Sequence, residues 1–184
     1  MNVPTIDHIA HLYNTWGEEN YDEDVSQRDH ALQCAALAHH DGADDALVAA
    51  ALLHDIGHLF EIERNNGPDR STDLRHERVG ADFLAGRFPP SVTLPIALHV
   101  EAKRFLTATD AAYASMLSTG SRRSLEVQGG PLSRSQCAQF LSRHGGADAV
   151  RLRRWDDSGK VVDLVVPDFD HWLPLLERVS APDI

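Results

Sequence analysis

Histidine is the residue type best suited to chemistry in this chain, since eleven are present and several fall in apolar, helix-patterned segments. The central pair, His54 and Asp55, lies inside the sequence ALLHDIGH. Burying an ionised aspartate there is costly unless hydrogen-bond partners or a metal ion compensate its charge. His58 follows His54 by four residues, so both project from one helix face, as metal-binding histidines often do. With Asp55 on a metal, His58 is left for proton donation or a substrate contact.

Further candidate ligands lie in separate helical segments. His30 precedes the central pair, and His76 and His99 follow it in consecutive segments. Asp156 lies late in the chain, inside RRWDD. Histidines on apolar helices are more often hydrogen-bonded core residues, so chance recurrence is the alternative. Four histidines and two carboxylates without a thiolate suit iron, manganese or zinc. Six ligands exceed what one metal takes while keeping an open position, so we expect two metals bridged by Asp55.

The segments that carry these residues are helical almost throughout. Apolar residues recur at helical spacing in 28–41, 44–60, 75–88, 92–106, about 109–118, 133–142, 147–157 and about 168–179. Segment 61–74, which contains NNGPD, and segment 121–131 are predicted to be loops. Pro95 is expected in the first turn of its helix, and Ser133 with Gln136 forms a capping-box pattern.

We find no convincing strand pair, so the predicted fold is all-α. The 184 residues suit one domain, 1–184, with its core at about 20–165 and a C-terminal helix at about 168–179. A hydrophobic content of 42% argues against disorder.

Charge and cysteine content limit the partners. The net charge of −11 provides no general field for attracting phosphate backbones, so no nucleic acid partner is expected. Cys34 and Cys137 lack a Cys-x-x-Cys partner, which favours free thiols in a reducing cytosol, with one disulfide as the alternative. We see no signal peptide and no apolar run of roughly 20 residues. The expectation is a cytoplasmic protein without a membrane partner, monomeric or weakly homo-oligomeric.

Taken together, these residues resemble a known family. The order His30, His54-Asp55, Asp156 is similar to the HD-domain pattern, and His76 and His99 extend it to a dinuclear form. More narrowly, residues from about 20 to 165 resemble the HD-domain mixed-valent di-iron oxygenases that cleave C–P bonds of 1-hydroxyphosphonates (the PhnZ type). The segments that carry this resemblance are QRDHALQCA, AALLHDIGH, RHE, LHVEAKRFL, SRRSLEVQGGP and RRWDD. The implied architecture is a single HD-domain helical bundle.

The resemblance implies a metal centre of two iron ions, Fe(II)/Fe(III), with O2 as co-substrate. One iron would be bound by His30, His54, Asp55 and Asp156. The other would be bound by Asp55, His76 and His99, with positions left for a phosphonate substrate and O2. His54 and Asp55, together with His58 and Lys103, would then be the catalytic residues.

Substrate contacts are also implied by the resemblance. Lys103 follows His99 by four residues on one helix face, so its cation would reach a phosphonate at the second metal. Arg153, three residues before Asp156, would add positive charge. Without the resemblance, Lys103 beside Arg104 is equally well interpreted as a solvated helix end.

Three further residues would contact the phosphonate oxygens. Ser121 and Ser124 would donate their hydroxyl groups from the predicted loop, and His58 would be another contact. Taken alone, the two serines are more readily interpreted as turn or cap residues.

The segment NYDEDVSQRDH matches the family only in part. In these oxygenases a tyrosine can cap the second iron, and a glutamate three residues later meets the substrate's ammonium group. Alignment on Ser26-Gln27 puts Glu23 at the glutamate position and Asn20 at the tyrosine position, with Tyr21 one residue away. Either Tyr21 is the gate or the capping step is absent. A solvated acidic stretch is the other interpretation.

The expected function is therefore oxidation. The enzyme would use O2 to cleave a 1-hydroxy-2-(substituted amino)ethylphosphonate to phosphate and glycine or an N-methylated glycine. The alternative is a metal-dependent HD-domain phosphohydrolase that activates water against a small phosphate ester or nucleotide. A non-enzymatic binding module is least expected, because every expected ligand is present.

Overall fold

The computed structural model describes residues 3–22, 25–65, 67 and 75–181, and only the backbone of residues 20–22. The helices in these ranges are α1 (Ile6–Trp16), α2 (Gln27–His40), α3 (Asp45–Leu53), α4 (Ile56–Asn65), α5 (His76–Leu84), α6 (Pro90–Thr109), α7 (Ala111–Met116), α8 (Thr119–Val127), α9 (Arg134–Ser142), α10 (Gly146–Ser158) and α11 (Phe169–Val179). The all-α prediction is confirmed. None of the described helices is long and apolar enough to cross a bilayer.

The expectation that no strands pair is wrong. Strands β1 (Asn20–Asp22) and β2 (Val25–Ser26) pair antiparallel, with Asn20 opposite Ser26. Strands of three and two residues are too short to show an alternating pattern in the sequence. Ser26 ends the hairpin and also caps α2, because its Oγ accepts a hydrogen bond from the Asp29 amide at 3.1 Å.

Helix α3 is the centre of the protein. Residues 47–53 are all buried, as expected for a helix that is apolar on every side. It packs against α2, α6, α10 and α11, so ligands from several helices can approach its C-terminal end. At its N-terminus, Asp44 accepts a hydrogen bond from the Leu47 amide at 2.9 Å.

The predicted continuous helix 44–60 is in fact broken at His54 and Asp55, which lie between α3 and α4. At the break, the Tyr13 hydroxyl donates at 2.8 Å to the Leu52 carbonyl, which a continuous helix would offer to the Ile56 amide. A tyrosine from α1 therefore stabilises the end of α3, a contact that periodicity does not reveal. Helix α4 also continues to residue 65, beyond the predicted end at 60; of residues 66–74, only residue 67 lies within the described ranges.

Gly57 allows α4 and α5 to approach closely. A Cβ atom on Gly57 would lie 2.1 Å from the His76 carbonyl oxygen, a distance that no side chain tolerates. The glycine in ALLHDIGH therefore lets the first residue of α5, His76, come beside the break that holds Asp55.

Helix α6 begins earlier than predicted. It starts at Pro90, which takes a position in the first turn, and Pro95 therefore lies inside the helix. The expectation that Pro95 lies in the first turn is wrong for this reason. The helix runs for 20 residues and packs most extensively against α10, which brings His99 and Lys103 alongside the residues of α10.

The predicted loop 121–131 is largely helical. Ser118 starts α8 by accepting a hydrogen bond from the Ser121 amide at 3.1 Å, and the helix continues to Val127. Its sequence is polar and lacks an apolar stripe, so the hydrophobic pattern did not predict a helix. Ser121 and Ser124 therefore lie on a helix and not in a loop. The predicted capping box of Ser133 and Gln136 is present, with both reciprocal hydrogen bonds. Cys34 and Cys137 are both free thiols.

Candidate metal centre

Two groups of side-chain donor atoms meet at the break between α3 and α4. In the first group, His30 Nε2 lies 3.2 Å from His54 Nε2 and 3.5 Å from Asp156 Oδ1. Asp55 Oδ2 lies 3.4 Å from His54 Nε2 and 3.9 Å from His30 Nε2. Donor atoms around one metal with bonds of about 2.1 Å are separated by roughly 3.0–3.4 Å, so this group has the spacing of a ligand set.

The second group uses the other oxygen of the same aspartate. Asp55 Oδ1 lies 3.3 Å from His76 Nε2 and 3.6 Å from His99 Nε2. The two histidine nitrogens are 3.2 Å apart. Asp55 therefore directs one oxygen to each group, which is the arrangement required of a carboxylate that bridges two metals.

Hydrogen bonding leaves the Asp55 carboxylate unsatisfied. Both of its oxygens are buried, and neither has a hydrogen-bond partner. A buried carboxylate without hydrogen bonds is strongly unfavourable unless a cation, such as a protonated histidine or a metal ion, compensates it. Together with the nitrogen and oxygen donors around it, this carboxylate fits a centre that binds metal ions.

Backbone carbonyls orient three of the histidines. His30 donates from Nδ1 to the Gly159 carbonyl at 2.8 Å, His54 to the Ala51 carbonyl at 2.9 Å and His99 to the Ile96 carbonyl at 2.8 Å. Each of these bonds places the ring proton on Nδ1 and leaves the Nε2 lone pair directed into the centre. Such outer contacts commonly fix the tautomer of metal-binding histidines.

The electrostatics of the centre are dominated by its carboxylates. Burial alone would lower the pKa of His54, but Asp55 and Asp156 raise it to about 9. Burial would raise the pKa of Asp55, yet His54 and His76 hold it well below its usual range. The aspartate is therefore ionised, and a metal that binds His54 must displace a proton.

Cys34 lies beside the first group, although no sequence pattern marked it as a candidate ligand. Its sulfur is 3.7 Å from His30 Nε2 and, with His30 and His54, it forms a set close enough to hold a metal. Burial and the nearby Asp156 raise the pKa of the thiol well above its usual value. The S–H group donates to the Trp155 carbonyl at 3.6 Å, so it remains protonated and is a weaker ligand than the carboxylates.

Arg153, which is predicted to contact substrate, contacts the carboxylates of its own helix. Its Nη1 donates to Asp156 Oδ2 at 2.6 Å, and its Nε donates to Asp157 Oδ2 at 2.9 Å. Its remaining nitrogen also donates to Asp157. The side chain is 3% exposed. In this geometry Arg153 orients a candidate ligand, Asp156, and its Nη2 also lies 3.4 Å from Ser121 Oγ, so its substrate contact stays a prediction.

Lys103 and Ser124 form a direct pair. Lys103 Nζ donates to Ser124 Oγ at 2.7 Å, and Ser124 donates to the Ser121 carbonyl at 3.1 Å. Lys103 is only 3% exposed, which excludes the alternative of a solvated helix end. Burial, reinforced by the positive charge of Arg153, lowers the pKa of Lys103 to about 8.

His58 lies against the second group without joining its donor atoms. Its ring stacks on the ring of His76, with 4.1 Å between centroids. Desolvation, reinforced by His76, lowers the pKa of His58 to about 3, so the imidazole is neutral at pH 7. A neutral ring can donate one N–H group to a ligand, which suits a substrate contact better than proton donation.

The N-terminal candidates are described only in part. Glu23 lies outside the described residues, and Tyr21 is described as backbone within β1. The hairpin precedes α2, the helix that carries His30, so both residues are near the candidate ligands along the chain.

Sequence reasoning missed Tyr113, Asp157 and Lys160 near the centre. The Tyr113 hydroxyl donates to Asp157 Oδ2 at 2.5 Å, and Lys160 Nζ donates to Ser121 Oγ at 3.3 Å. Asp157 and Lys160 also line a cavity of about 580 Å³. Two of these residues could have been found from the sequence, since Asp157 adjoins Asp156 and Lys160 follows Asp156 by four residues.

Comparison with known proteins is consistent with this geometry. The family model described as HD domain matches residues 27–128. The hydroxymethylphosphonate dioxygenase of Gimesia maris is 44% identical over 165 residues, which cover 89% of this chain and 82% of that protein. The glycine-betaine-forming 1-hydroxy-2-(trimethylamino)ethyl phosphonate dioxygenase of Leisingera caerulea is 34% identical over 175 residues, covering 95% and 89%. Uncharacterized protein L432 of Acanthamoeba polyphaga mimivirus is 30% identical over 177 residues, covering 95% and 81%.

Proposed function

Since this chain belongs to the HD domain family and, within it, groups with phosphonate dioxygenases, we propose that it uses O2 to cleave the C–P bond of a 1-hydroxyphosphonate. The observation that carries the proposal is the position of Asp55 between two groups of metal-ligand type. One O2 and one 1-hydroxyphosphonate would give one carboxylic acid and one phosphate. The C–P bond and the C–H bond of the hydroxyl-bearing carbon break, carbon and phosphorus each gain one oxygen atom, and the hydrogen from carbon ends on oxygen. O2 is the oxidant and accepts the four electrons.

The proposed cofactor is a pair of iron ions. His30, His54, Asp55 and Asp156 would hold one of them, and Asp55, His76 and His99 would hold the other. When bound, the irons would supply electrons and open coordination positions for O2 chemistry. The second group has only three protein ligands among the described residues, which leaves room for a substrate.

The protein's own residues would bind and orient the phosphonate. Lys103 would neutralise one of its charges, and the hydroxyl groups of Ser121 and Ser124 would donate to its oxygens. The neutral ring of His58 would donate an N–H group from beside His76. Because the Lys103 ammonium and the Ser124 hydroxyl are already in contact, the site is partly organised before substrate arrives.

Dependence on O2 is the decisive test. With protein loaded with about two irons per chain, phosphate release from hydroxymethylphosphonate should occur in air and stop under anaerobic conditions. Label from 18O2 should enter both phosphate and the carboxylic acid. Equal phosphate release without O2 would reassign the protein as a phosphohydrolase, and p-nitrophenyl phosphate is the control for that activity. A single tightly bound zinc ion would also contradict the proposal.

The substituent on the substrate distinguishes the two named relatives. One acts on hydroxymethylphosphonate, and the other acts on a phosphonate with a trimethylammonium group. We propose that Glu23 faces the cationic end of an aminoethyl substrate, so both substrates belong in the assay.

Glu23→Ala gives the corresponding prediction. The variant should lose about tenfold or more in kcat/KM for the cationic substrate, because a charge-assisted contact is removed. Its kcat/KM for hydroxymethylphosphonate should remain within about threefold, since that substrate has no cation. Equal losses on both substrates would reject the proposed role of Glu23.

A further inference from the structure

The chain contains two lysines, Lys103 and Lys160, and both contact the same helix. Lys103 on α6 donates to Ser124 of α8 at 2.7 Å. Lys160, in the segment after α10, donates to Ser121 of α8 at 3.3 Å. The other basic side chains, apart from the histidines, are arginines. The two lysines of the chain therefore both reach α8, although they are far apart in the sequence.

The two lysines and two serines form what we call the anion seat: Lys103, Ser121, Ser124 and Lys160. The serines are three residues apart, so their side chains share one face of α8. Ser121 lies in the first turn, where the positive end of the helix dipole favours an anion. Two ammonium groups and two hydroxyl groups are the donors that a dianionic phosphonate requires.

Charges of both signs lie around the anion seat. Arg153 also approaches Ser121, at 3.4 Å, but its guanidinium group is held by Asp156 and Asp157. After burial, Arg153 lowers the pKa of Lys103, Asp156 and Asp157 raise it, and Lys160 lowers it, so all four of these charges lie near the Lys103 ammonium group.

A cavity of about 580 Å³ adjoins the anion seat on the side of Lys160. Lys160 lines this cavity, as do Ser118 and Asp157, which both bond to Ser121. The other walls include the apolar side chains of Met116, Leu117 and Val162. Lys160 is therefore exposed to the cavity on one side and reaches Ser121 on the other.

From this geometry we propose that Lys160 is a second cationic contact of the substrate phosphonate, acting with Lys103 across the two serines of α8. The proposal rests on the proposed function, because it places the phosphonate of that reaction at Ser121. It adds a residue that lies outside the family match at 27–128.

Replacement of Lys160 by Met tests the proposal in metal-loaded protein. Methylphosphonate lacks the reacting hydroxyl group, so its binding can be measured by calorimetry without turnover. The Kd of methylphosphonate should rise about tenfold in Lys160→Met, as expected for loss of one charge-assisted contact. The KM for hydroxymethylphosphonate should rise by a similar factor while kcat stays within about threefold, because the lost contact binds substrate and transition state alike.

Two further variants separate binding from structure. Lys160→Arg should recover the affinity for methylphosphonate to within about threefold, because the charge is retained. Arg151→Met removes an exposed cation of α10 that lies over the ring of Trp155, and it should leave Kd and KM unchanged.

The outcomes distinguish this proposal from the proposed function. If wild-type protein releases phosphate in an O2-dependent manner but Lys160→Met binds methylphosphonate normally, the role of Lys160 is wrong and the function stands. If methylphosphonate binding depends on Lys160 but no O2-dependent release occurs, the anion seat stands and the proposed reaction is wrong. A failure of Lys160→Arg to recover binding would also overturn the role of its charge.

Discussion

Asp55→Asn should abolish turnover, with a loss of at least about 10³-fold in kcat for a 1-hydroxyphosphonate. Asp55 presents one oxygen to each group of histidines, at 3.3–3.6 Å from three of their nitrogens. An amide has one oxygen and no charge, so it cannot bridge two cations. Loss of metal-based stabilisation worth several kcal/mol corresponds to a factor of this size. Metal analysis should show that fewer than two metals remain per chain.

The fold should survive the same substitution. Asn has nearly the shape of Asp and keeps the packing at the helix break, so we expect the fold to tolerate the loss of the ion pairs with His54 and His76. Circular dichroism of metal-free Asp55→Asn should therefore match that of the wild type. Asp82→Asn, an exposed change of the same kind on α5, should keep both metals and full activity. Two bound metals and turnover within about threefold of wild type in Asp55→Asn would show that Asp55 is not the bridge.

Lys103→Met should separate activity from stability. The variant keeps the length and apolar stem of the side chain and removes the ammonium group that contacts Ser124. We expect kcat/KM to fall by about 100-fold, since a hydrogen-bonded charge is worth up to about 3 kcal/mol. Steady-state kinetics with hydroxymethylphosphonate will measure the loss.

Metal-free Lys103→Met should nevertheless be at least as stable as wild type at pH 7. The pKa of Lys103 is lowered from 10.5 to about 8, because burial disfavours the charged form. The folded protein therefore binds this proton less tightly than the unfolded chain does. The stability that comes from a neutral Lys103 is fully present above pH 10.5 and is lost once the pH has fallen through about 8. At pH 7 the cost is about 3 kcal/mol, and the methionine variant should regain part of it.

The same pKa predicts a pH dependence of activity. Phosphonate binding requires the charged lysine, so kcat/KM should decline as the pH rises through about 8. Lys103→Met should lack this alkaline decline. Arg134→Met, an exposed charge removal on α9, should show wild-type kinetics and the wild-type pH profile. A Lys103→Met variant with wild-type kcat/KM would remove Lys103 from the proposed phosphonate contacts.

The candidate ligands could be identified from the sequence because metal chemistry depends on residue type. Histidines and aspartates in apolar helical segments are unusual enough to be informative, and the order around His54 and Asp55 indicated the HD domain. Helix content and the Ser133 capping box were also predictable, because they depend on residues within a few positions of one another.

Other features depended on contacts between distant residues. The break between α3 and α4 involves Tyr13 from another helix, which the local pattern of residues 44–60 cannot show. That pattern therefore predicted one continuous helix. Helix α8 was predicted to be a loop because its polar sequence lacks an apolar stripe, although Ser118 caps it. The two carboxylates of α10 that hold the Arg153 guanidinium group were likewise not predicted.

The sequence by itself therefore determined which residue types are available for a dinuclear metal centre, since ligand identity and helical spacing are local properties. Only the tertiary structure decided how they are used. It placed the two oxygens of Asp55 towards different histidine groups, because α2, α6 and α10 pack against α3 while α5 packs against α4 and α6. It also brought the chain's two lysines to one helix, a result of long-range packing that no local pattern encodes.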